Sequence, residues 1–280
     1  MTEKSAVHVR GLSKDYGRVR AVRDLDLDVG YGEIFAILGP NGAGKSTTIE
    51  ILEGNRRRDA GDVRVLGADP GMAGRDWRAR IGIVLQEVSD AGMLTVGETA
   101  SLFARCYGTA REPGEALELV GLASVSGARV RKLSGGQRRR LDVALGIIGM
   151  PELLFLDEPT TGFDPEARRQ FWDLIRLLAA DGTTILLTTH YLEEAAALAD
   201  RVAVIAGGRV VAVDSPTKLT AHVDSAATVQ WLQGGEIRMQ KTDFPTQLIR
   251  RLSEDGAELA ELTVTRPSLE DAYLRLIGVA

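Results

Sequence analysis

The stretch GPNGAGKST, residues 39–47, lies between the apolar run IFAIL and the segment TIEILEG. Its three glycines and one proline suit neither a strand nor a helix interior. It fits the pattern G-x-x-x-x-G-K-[ST], with Gly39, Gly44, Lys45 and Ser46 at the fixed positions. Glycines let successive backbone N–H groups turn toward one point and form a concavity for anionic oxygens. A helix beginning at Lys45 or Ser46 adds the positive end of its dipole there. The pattern sends Lys45 to β- and γ-phosphates and the Ser46 hydroxyl to a magnesium ion. A glycine-rich turn with an exposed lysine and a serine cap is the alternative, and the rest of the chain must decide.

The bulk properties narrow the field. A chain of 280 residues suffices for one large or two smaller domains with a sizeable core. Its 44% hydrophobic and 26% charged residues are those of a globular protein. No uncharged apolar run approaches the ~18–20 residues of a membrane span. The opening MTEKSAVHVR lacks the apolar core of a secretion signal. Cys106 is the single cysteine, which excludes an intrachain disulfide and points to a reducing cytosol. A net charge of −5 argues against general nucleic-acid binding, so the RRR triplets at 56–58 and 138–140 read as solvated faces. Arginine outnumbers lysine 28 to 6, which with the abundant Ala and Gly points to a GC-rich bacterial genome.

Periodicity gives the order of elements. DLDLDV (24–29) alternates as a half-buried strand does, and IFAIL, DVRVLG and IGIVLQE read as further strands. From about 94 to 150 helical spacing takes over, ending in the long helix GGQRRRLDVALGIIG. LLFLDEP is then a short apolar strand ending in two acids. Asp164-Pro165 opens a helix through Ala180, and TTILLTTH is another buried strand. YLEEAAALAD reads as a helix, and RVAVIAGGRVVAV as a hairpin turning at Gly207-Gly208. A first part spans 1–216. A tail, 217–280, carries the strand-like ATVQWL and ELTVTR. It ends in the amphipathic SLEDAYLRLIG, with Leu269, Tyr273, Leu276 and Ile277 on one stripe and Ser268 as its cap.

Nucleotide hydrolysis needs a held metal and a deprotonated water. In LLFLDEP, Asp157 at the strand's carboxyl end suits the metal, and Glu158 suits a general base. An acidic pair stabilised by a following helix dipole is the alternative. The stretch LSGGQ, 133–137, supplies a second backbone anion site, again two glycines ahead of a helix.

With that stretch the sequence, over about residues 6 to 220, resembles the ATP-binding subunits of ABC (ATP-binding cassette) transporters. The motifs follow the family's order: Tyr16 in KDYG, GPNGAGKST, Gln86, LSGGQ, LLFLDE, Asp164 in TGFD, and His190 in TTH. The resemblance implies an α/β fold: a P-loop ATPase core with a mixed sheet, an antiparallel β subdomain, a helical signature subdomain (about 94–150) and a small α+β C-terminal tail. It implies ATP and Mg2+ as ligands. Tyr16 stacks on adenine, and Gly39, Pro40, Asn41, Gly42, Ala43, Gly44, Lys45, Ser46 and Thr47 hold the phosphates. Ser46, Gln86 and Asp157 hold the metal, Glu158 is the base, and Lys45, Gln86 and His190 attend the γ-phosphate. Ser134, Gly135, Gly136 and Gln137, with Asp164 of the D-loop, complete the nucleotide site of a second copy, which makes the active species a head-to-tail homodimer. Phe163 departs from the leucine more usual at that position, which puts the fine packing across the dimer in question.

One cassette without a membrane span implies a separate integral membrane subunit, at the cytoplasmic face of a bacterial membrane. A soluble ABC ATPase of DNA repair or translation is the alternative class, weakened by the single cassette and the missing coiled-coil heptads. DEPTTGFDPEARR, GRVVAVDSP and PSLEDAYLRLIG resemble the drug-resistance-type exporter ATPases that work with ABC-2 membrane subunits, with an importer as the other possibility. The segment LTVGETASLFARCYG resembles the surface that receives such a subunit's coupling helix.

Overall fold

A computed structural model describes residues 5–84, 93–221, 226–253 and 258–278. Two long strands, β1 (Ser5–Tyr16) and β2 (Val19–Gly30), form an antiparallel hairpin whose register slips near Gly11, where φ is +61°. The alternation of DLDLDV is real, since Leu25, Leu27 and Val29 are buried between exposed or half-buried aspartates. β3 (Ile34–Leu38) leads through residues 39–44 into α1 (Lys45–Leu52). β4 (Ala60–Val65) pairs with β1 and completes an antiparallel sheet ordered β2-β1-β4. The one-turn α2 (Arg75–Arg78) precedes β5 (Ile81–Val84).

The helical segment follows as α3 (Val96–Ala104), α4 (Pro113–Leu119) and α5 (Gly135–Ile147), each packed on the other two. Then come β6 (Leu153–Asp157), α6 (Pro165–Ala180), β7 (Thr184–Thr188), α7 (Leu192–Leu198), β8 (Arg201–Ala206) and β9 (Arg209–Asp214). The second sheet has six strands in the order β5-β6-β7-β3-β8-β9, parallel from β5 through β8. β3 and β7 are buried at every residue. This explains their unbroken apolar runs, because a parallel sheet is covered on both faces. Phe35, Ile37, Leu153, Phe155 and Leu186 share one core with the hairpin's Val7, Leu12, Leu25 and Val29.

The chain divides into two compact units, Met1–Val213 and Asp214–Ala280. The second unit holds α8 (Pro216–Ala221), β10 (Ala227–Gln233), β11 (Glu236–Thr242), α9 (Pro245–Leu252), β12 (Thr263–Thr265) and α10 (Leu269–Leu276). Its antiparallel sheet is ordered β11-β10-β12, with Val229 and Trp231 of β10 buried against Leu248 of α9. α10 packs on α8 and starts with a reciprocal cap, Ser268 Oγ accepting from Asp271 N and Asp271 returning the bond to Ser268 N. Its buried stripe is Leu269 and Ala272 with Tyr273 and Leu276 half-buried, and Ile277 already lies at the helix cap. β11 and α9 gave no sequence signal: β11 is almost wholly exposed and α9 buries only Leu248.

Two glycines set how closely α5 lies on β5. A Cβ on Gly82 would stand 2.3 Å from Gly146 O, and one on Gly146 would stand 2.7 Å from a methyl of Val84. Gly82→Ala is therefore expected to cost about 1–3 kcal/mol through overpacking. Thermal melting should fall by several degrees, whereas Gly114→Ala, with open space around the added methyl, should leave it nearly unchanged. Equal melting of the two variants would contradict the close helix–strand contact.

Candidate active site

The phosphate loop takes its shape from backbone angles that glycine tolerates. Gly42 and Gly44 have φ of +79° and +101°, where a side chain is strained. A Cβ on Gly44 would meet Ala21 O at 2.3 Å, while nothing lies within 4 Å of one on Gly42, the loop's open side. Pro40, Asn41 and Ser46 are exposed, Thr47 is half-buried, and Gly39 and Ala43 are buried. Lys45 is only 6% exposed. Its Nζ donates to Gly39 O at 2.7 Å and Pro40 O at 3.2 Å. Burial lowers its pKa, and the charges of Glu158 and Asp157 oppose that shift. The lysine is therefore drawn into the loop and is not the exposed lysine of an ordinary turn.

The two acids stand at the end of β6, beside β7. Thr188 pairs with Asp157 on one side and with Ile37 of β3 on the other. Its hydroxyl donates to Asp157 Oδ1 and accepts from the Glu158 N–H at 3.1 Å. Glu158 itself has φ +45°, a left-handed backbone that costs a non-glycine residue of order 1–3 kcal/mol and concentrates at functional sites. Its Oε1 lies 3.3 Å from His190 Nδ1, just past the end of β7. The His190 ring stacks on Tyr191 at 4.0 Å, and the Arg168 guanidinium covers Tyr191 from 4.7 Å. The structure thus brings Lys45, Asp157, Glu158 and His190 together. Gln86 lies outside the described residues.

The second anion motif sits apart. Ser134 caps α5: its hydroxyl accepts from Gln137 N at 3.2 Å, and Gln137 Oε1 accepts from Ser134 N at 3.0 Å. Gly135 and Gly136 have open space where side chains would be. Among the described hydrogen bonds and ion pairs, none joins residues 134–137 to residues 39–47. Asp164 caps α6 by accepting from Ala167 N at 2.8 Å. Phe163 is buried edge-on against Phe171 of its own chain, with centroids 5.9 Å apart.

The reading of the RRR triplets as solvated faces holds for Arg57, which is exposed, and is corrected for Arg56, Arg58 and Arg139. Arg56 bonds the Glu50 carboxylate and lies 5.2 Å from the centre of the Tyr16 ring, itself 41% exposed at the end of β1. Arg58 donates to both oxygens of Asp69, at 2.8 and 2.7 Å. Arg139 is buried and donates to the backbone carbonyls of Asp157, at 2.8 Å, and Pro159, at 3.1 Å. The missed signal was position: Arg139 lies four and eight residues before buried Val143 and Ile147, on the apolar stripe. Glu194 likewise precedes buried Leu198 by one turn of α7. It is fully buried, bonded by Trp172 Nε1 at 3.2 Å, and faces the hydroxyls of Thr189 and Thr160.

A family model described as ABC transporter matches residues 22–161. A daunorubicin resistance ATP-binding protein of Streptomyces coeruleorubidus is 38% identical, over 98% of this chain and 95% of its own. A Nod factor export ATP-binding protein I of Ralstonia nicotianae is 45% identical, over 96% of this chain and 93% of its own. A solved ATP-binding subunit of an ABC transporter superposes with TM-score 0.71 at 26% identity, covering 78% of this chain and 93% of that one. A dimeric bacterial ABC transporter cassette, at 24% identity, TM-score 0.66 and 75% and 98% coverage, speaks for the fold alone.

Glu53, which closes α1, is buried with Asn55 Nδ2 bonding its carboxylate at 2.9 Å, and burial pushes its pKa to about 7. The folded chain then holds this proton more tightly than the unfolded chain, whose glutamate titrates near 4.5. Stability from this group is therefore full below pH ~4.5 and falls as pH rises to ~7. Glu53→Gln should remove that slope. Denaturation at pH 5 and pH 8 should show the variant gaining about 3 kcal/mol on the wild type between the two; a constant difference would refute the assignment.

Proposed function

The chain belongs to the ABC transporter family, and from that premise we propose that it is the ATP-hydrolysing subunit of an exporter acting with a separate membrane subunit. The observation that carries this reading is the Glu158–His190 pair, 3.3 Å apart, within electrostatic reach of the loop lysine. The site fits Mg-ATP. Gly42 leaves one side of the loop open, Lys45 spans it, and Ser46 and Asp157 offer the oxygen ligands that magnesium takes. A magnesium ion on Ser46 and Asp157, with Gln86 as a further ligand, would supply Lewis-acid neutralisation of phosphate charge.

The chain's own residues do the rest. Lys45 exchanges the carbonyls of Gly39 and Pro40 for phosphate oxygens. Thr188 occupies Asp157 Oδ1 and leaves Oδ2 for the metal. His190 Nδ1 stands 3.3 Å from Glu158 Oε1, and the proton of the attacking water goes to Oε2, whose one described contact is the long 3.5 Å approach of Thr161 Oγ1. Tyr16 offers its exposed face to adenine. The first turn of α5, exposed and without described bonds to its own phosphate loop, closes the site of a second copy. Two copies related by a twofold axis then share two composite sites.

Export is supported by relatives whose names state daunorubicin resistance and Nod factor export. A membrane partner is supported by the surface of α3 and α4. There Leu94, Gly97, Leu102, Arg105, Pro113 and Leu117 line an open groove of about 720 Å³, with Phe103 exposed on α3. Among the described residues no helix is long and apolar enough to cross a membrane; on the reading proposed here the groove is where an ABC-2-type subunit docks, at the cytoplasmic face.

Glu158→Gln is expected to keep nucleotide affinity while turnover drops by ~10²–10⁴-fold, the usual contribution of a general base. Steady-state ATPase assays at wild-type rate would sink the role. Lys45→Ala should instead weaken ATP binding in equilibrium titrations, and unchanged affinity would contradict it. With ATP, Glu158→Gln should dimerise in light scattering; a monomer at high concentration would remove the composite site.

A further inference from the structure

Arg139 is a costly residue to bury, and the structure gives it a specific object. Its guanidinium donates through Nη2 to Asp157 O at 2.8 Å and through Nε to Pro159 O at 3.1 Å. These are the carbonyls immediately before and after Glu158, the residue in left-handed backbone at φ +45°. Thr188 secures the Glu158 N–H from the other side, through its carbonyl and hydroxyl at 3.1 Å each. The peptide carrying the base is thus gripped between β7 and α5. The acids around the guanidinium are Asp142 on its own helix, Asp157 and Glu194. They offset part of the cost of its burial.

We propose that Arg139 is the positioning residue for Glu158, and that through it the signature helix of each copy sets the general base of that same copy. The inference rests on the ATPase reading above and extends it. In a head-to-tail dimer the first turn of α5 covers the nucleotide of one composite site, while Glu158 of the same chain works in the other. Arg139 lies one turn into α5, so a shift of Ser134–Gly136 onto a phosphate moves the fork that holds residues 157–159. Nucleotide at one site therefore sets the base at the other, and hydrolysis is cooperative. The fork geometry matters: lysine keeps the charge but, as a point donor, does not hold two separate carbonyls in fixed relation.

The test uses the full-length chain. Arg139→Lys is expected to lower kcat at least about 10-fold, toward the ~10²-fold that a misplacement of about 1 Å costs. KM and ATP affinity should stay within about 2-fold of wild type, and the Hill coefficient for ATP should fall to about 1. A merely structural role would move melting and affinity together with kcat. Hydrogen exchange on the unmutated chain gives an independent check. A non-hydrolysable ATP analogue with magnesium should slow peptides covering 135–142 and 156–161 together, and protection of the first without the second would overturn the link. Wild-type kcat and Hill coefficient in Arg139→Lys would overturn it as well. A wild-type chain that hydrolyses no ATP would instead bring down the ATPase reading itself, which keeps the two failures apart.

Discussion

The site depends on the pairing of Thr188 with both of its neighbours in the sheet. In the order β6-β7-β3, Thr188 lies in register with Asp157 on one side and Ile37 on the other. Strands ~4.8 Å apart leave the ends of three elements within about 10 Å. One hydroxyl then fixes the Asp157 carboxylate and the Glu158 amide together. A slip of one residue in β7 would turn Thr188 to the opposite face and separate the two acids from the histidine that follows. Register in β7 is marked by its two buried threonines, since the Thr184 hydroxyl accepts from Gly32 N at 3.0 Å and the Thr188 hydroxyl donates to Asp157.

Most of this was legible in the sequence because each motif sits at the end of an apolar run. IFAIL before the glycine loop, LLFLD before Glu158 and TILLT before His190 announce buried parallel strands. Glycine at 42 and 44 announces positive φ, which the backbone confirms. Ser134 and Asp164 announce helix starts, and both cap as expected. What escaped were groups whose type contradicts their location. Arg139 and Glu194 lie on the buried stripes of α5 and α7, yet charge alone suggested solvent. Glu53 is hidden at a helix end for the same reason. The positive φ of Glu158 has no signature in residue type, since left-handed backbone ordinarily selects glycine or asparagine. In the second unit the sheet is thin, and β11 has too little burial to impose alternation.

Phe163 shows how a departure from the family pattern is absorbed. Its ring turns inward against Phe171 of α6, an edge-to-face contact of the favourable kind for aromatic pairs. The substitution is thereby accommodated within one chain, and Asp164 beside it keeps its capping bond to Ala167.

The buried charges define what the sheet must withstand. Lys45, Arg139, Glu53 and Glu194 each lie below a tenth exposed, and desolvation opposes the charged form of every one of them. Each also has a hydrogen-bonding partner: loop carbonyls for Lys45, strand-end carbonyls for Arg139, Asn55 for Glu53 and Trp172 for Glu194. Breaking one bond therefore leaves a buried charge unsatisfied, at a cost of several kcal/mol. That penalty gives the strained peptide of Glu158 its stiffness. Moving Glu158 out of its left-handed position would pull on the two neighbouring carbonyls that Arg139 holds from α5. The peptide around Glu158 and helix α5 are thus tied directly to each other, although Arg139 and Glu158 stand 19 positions apart along the chain.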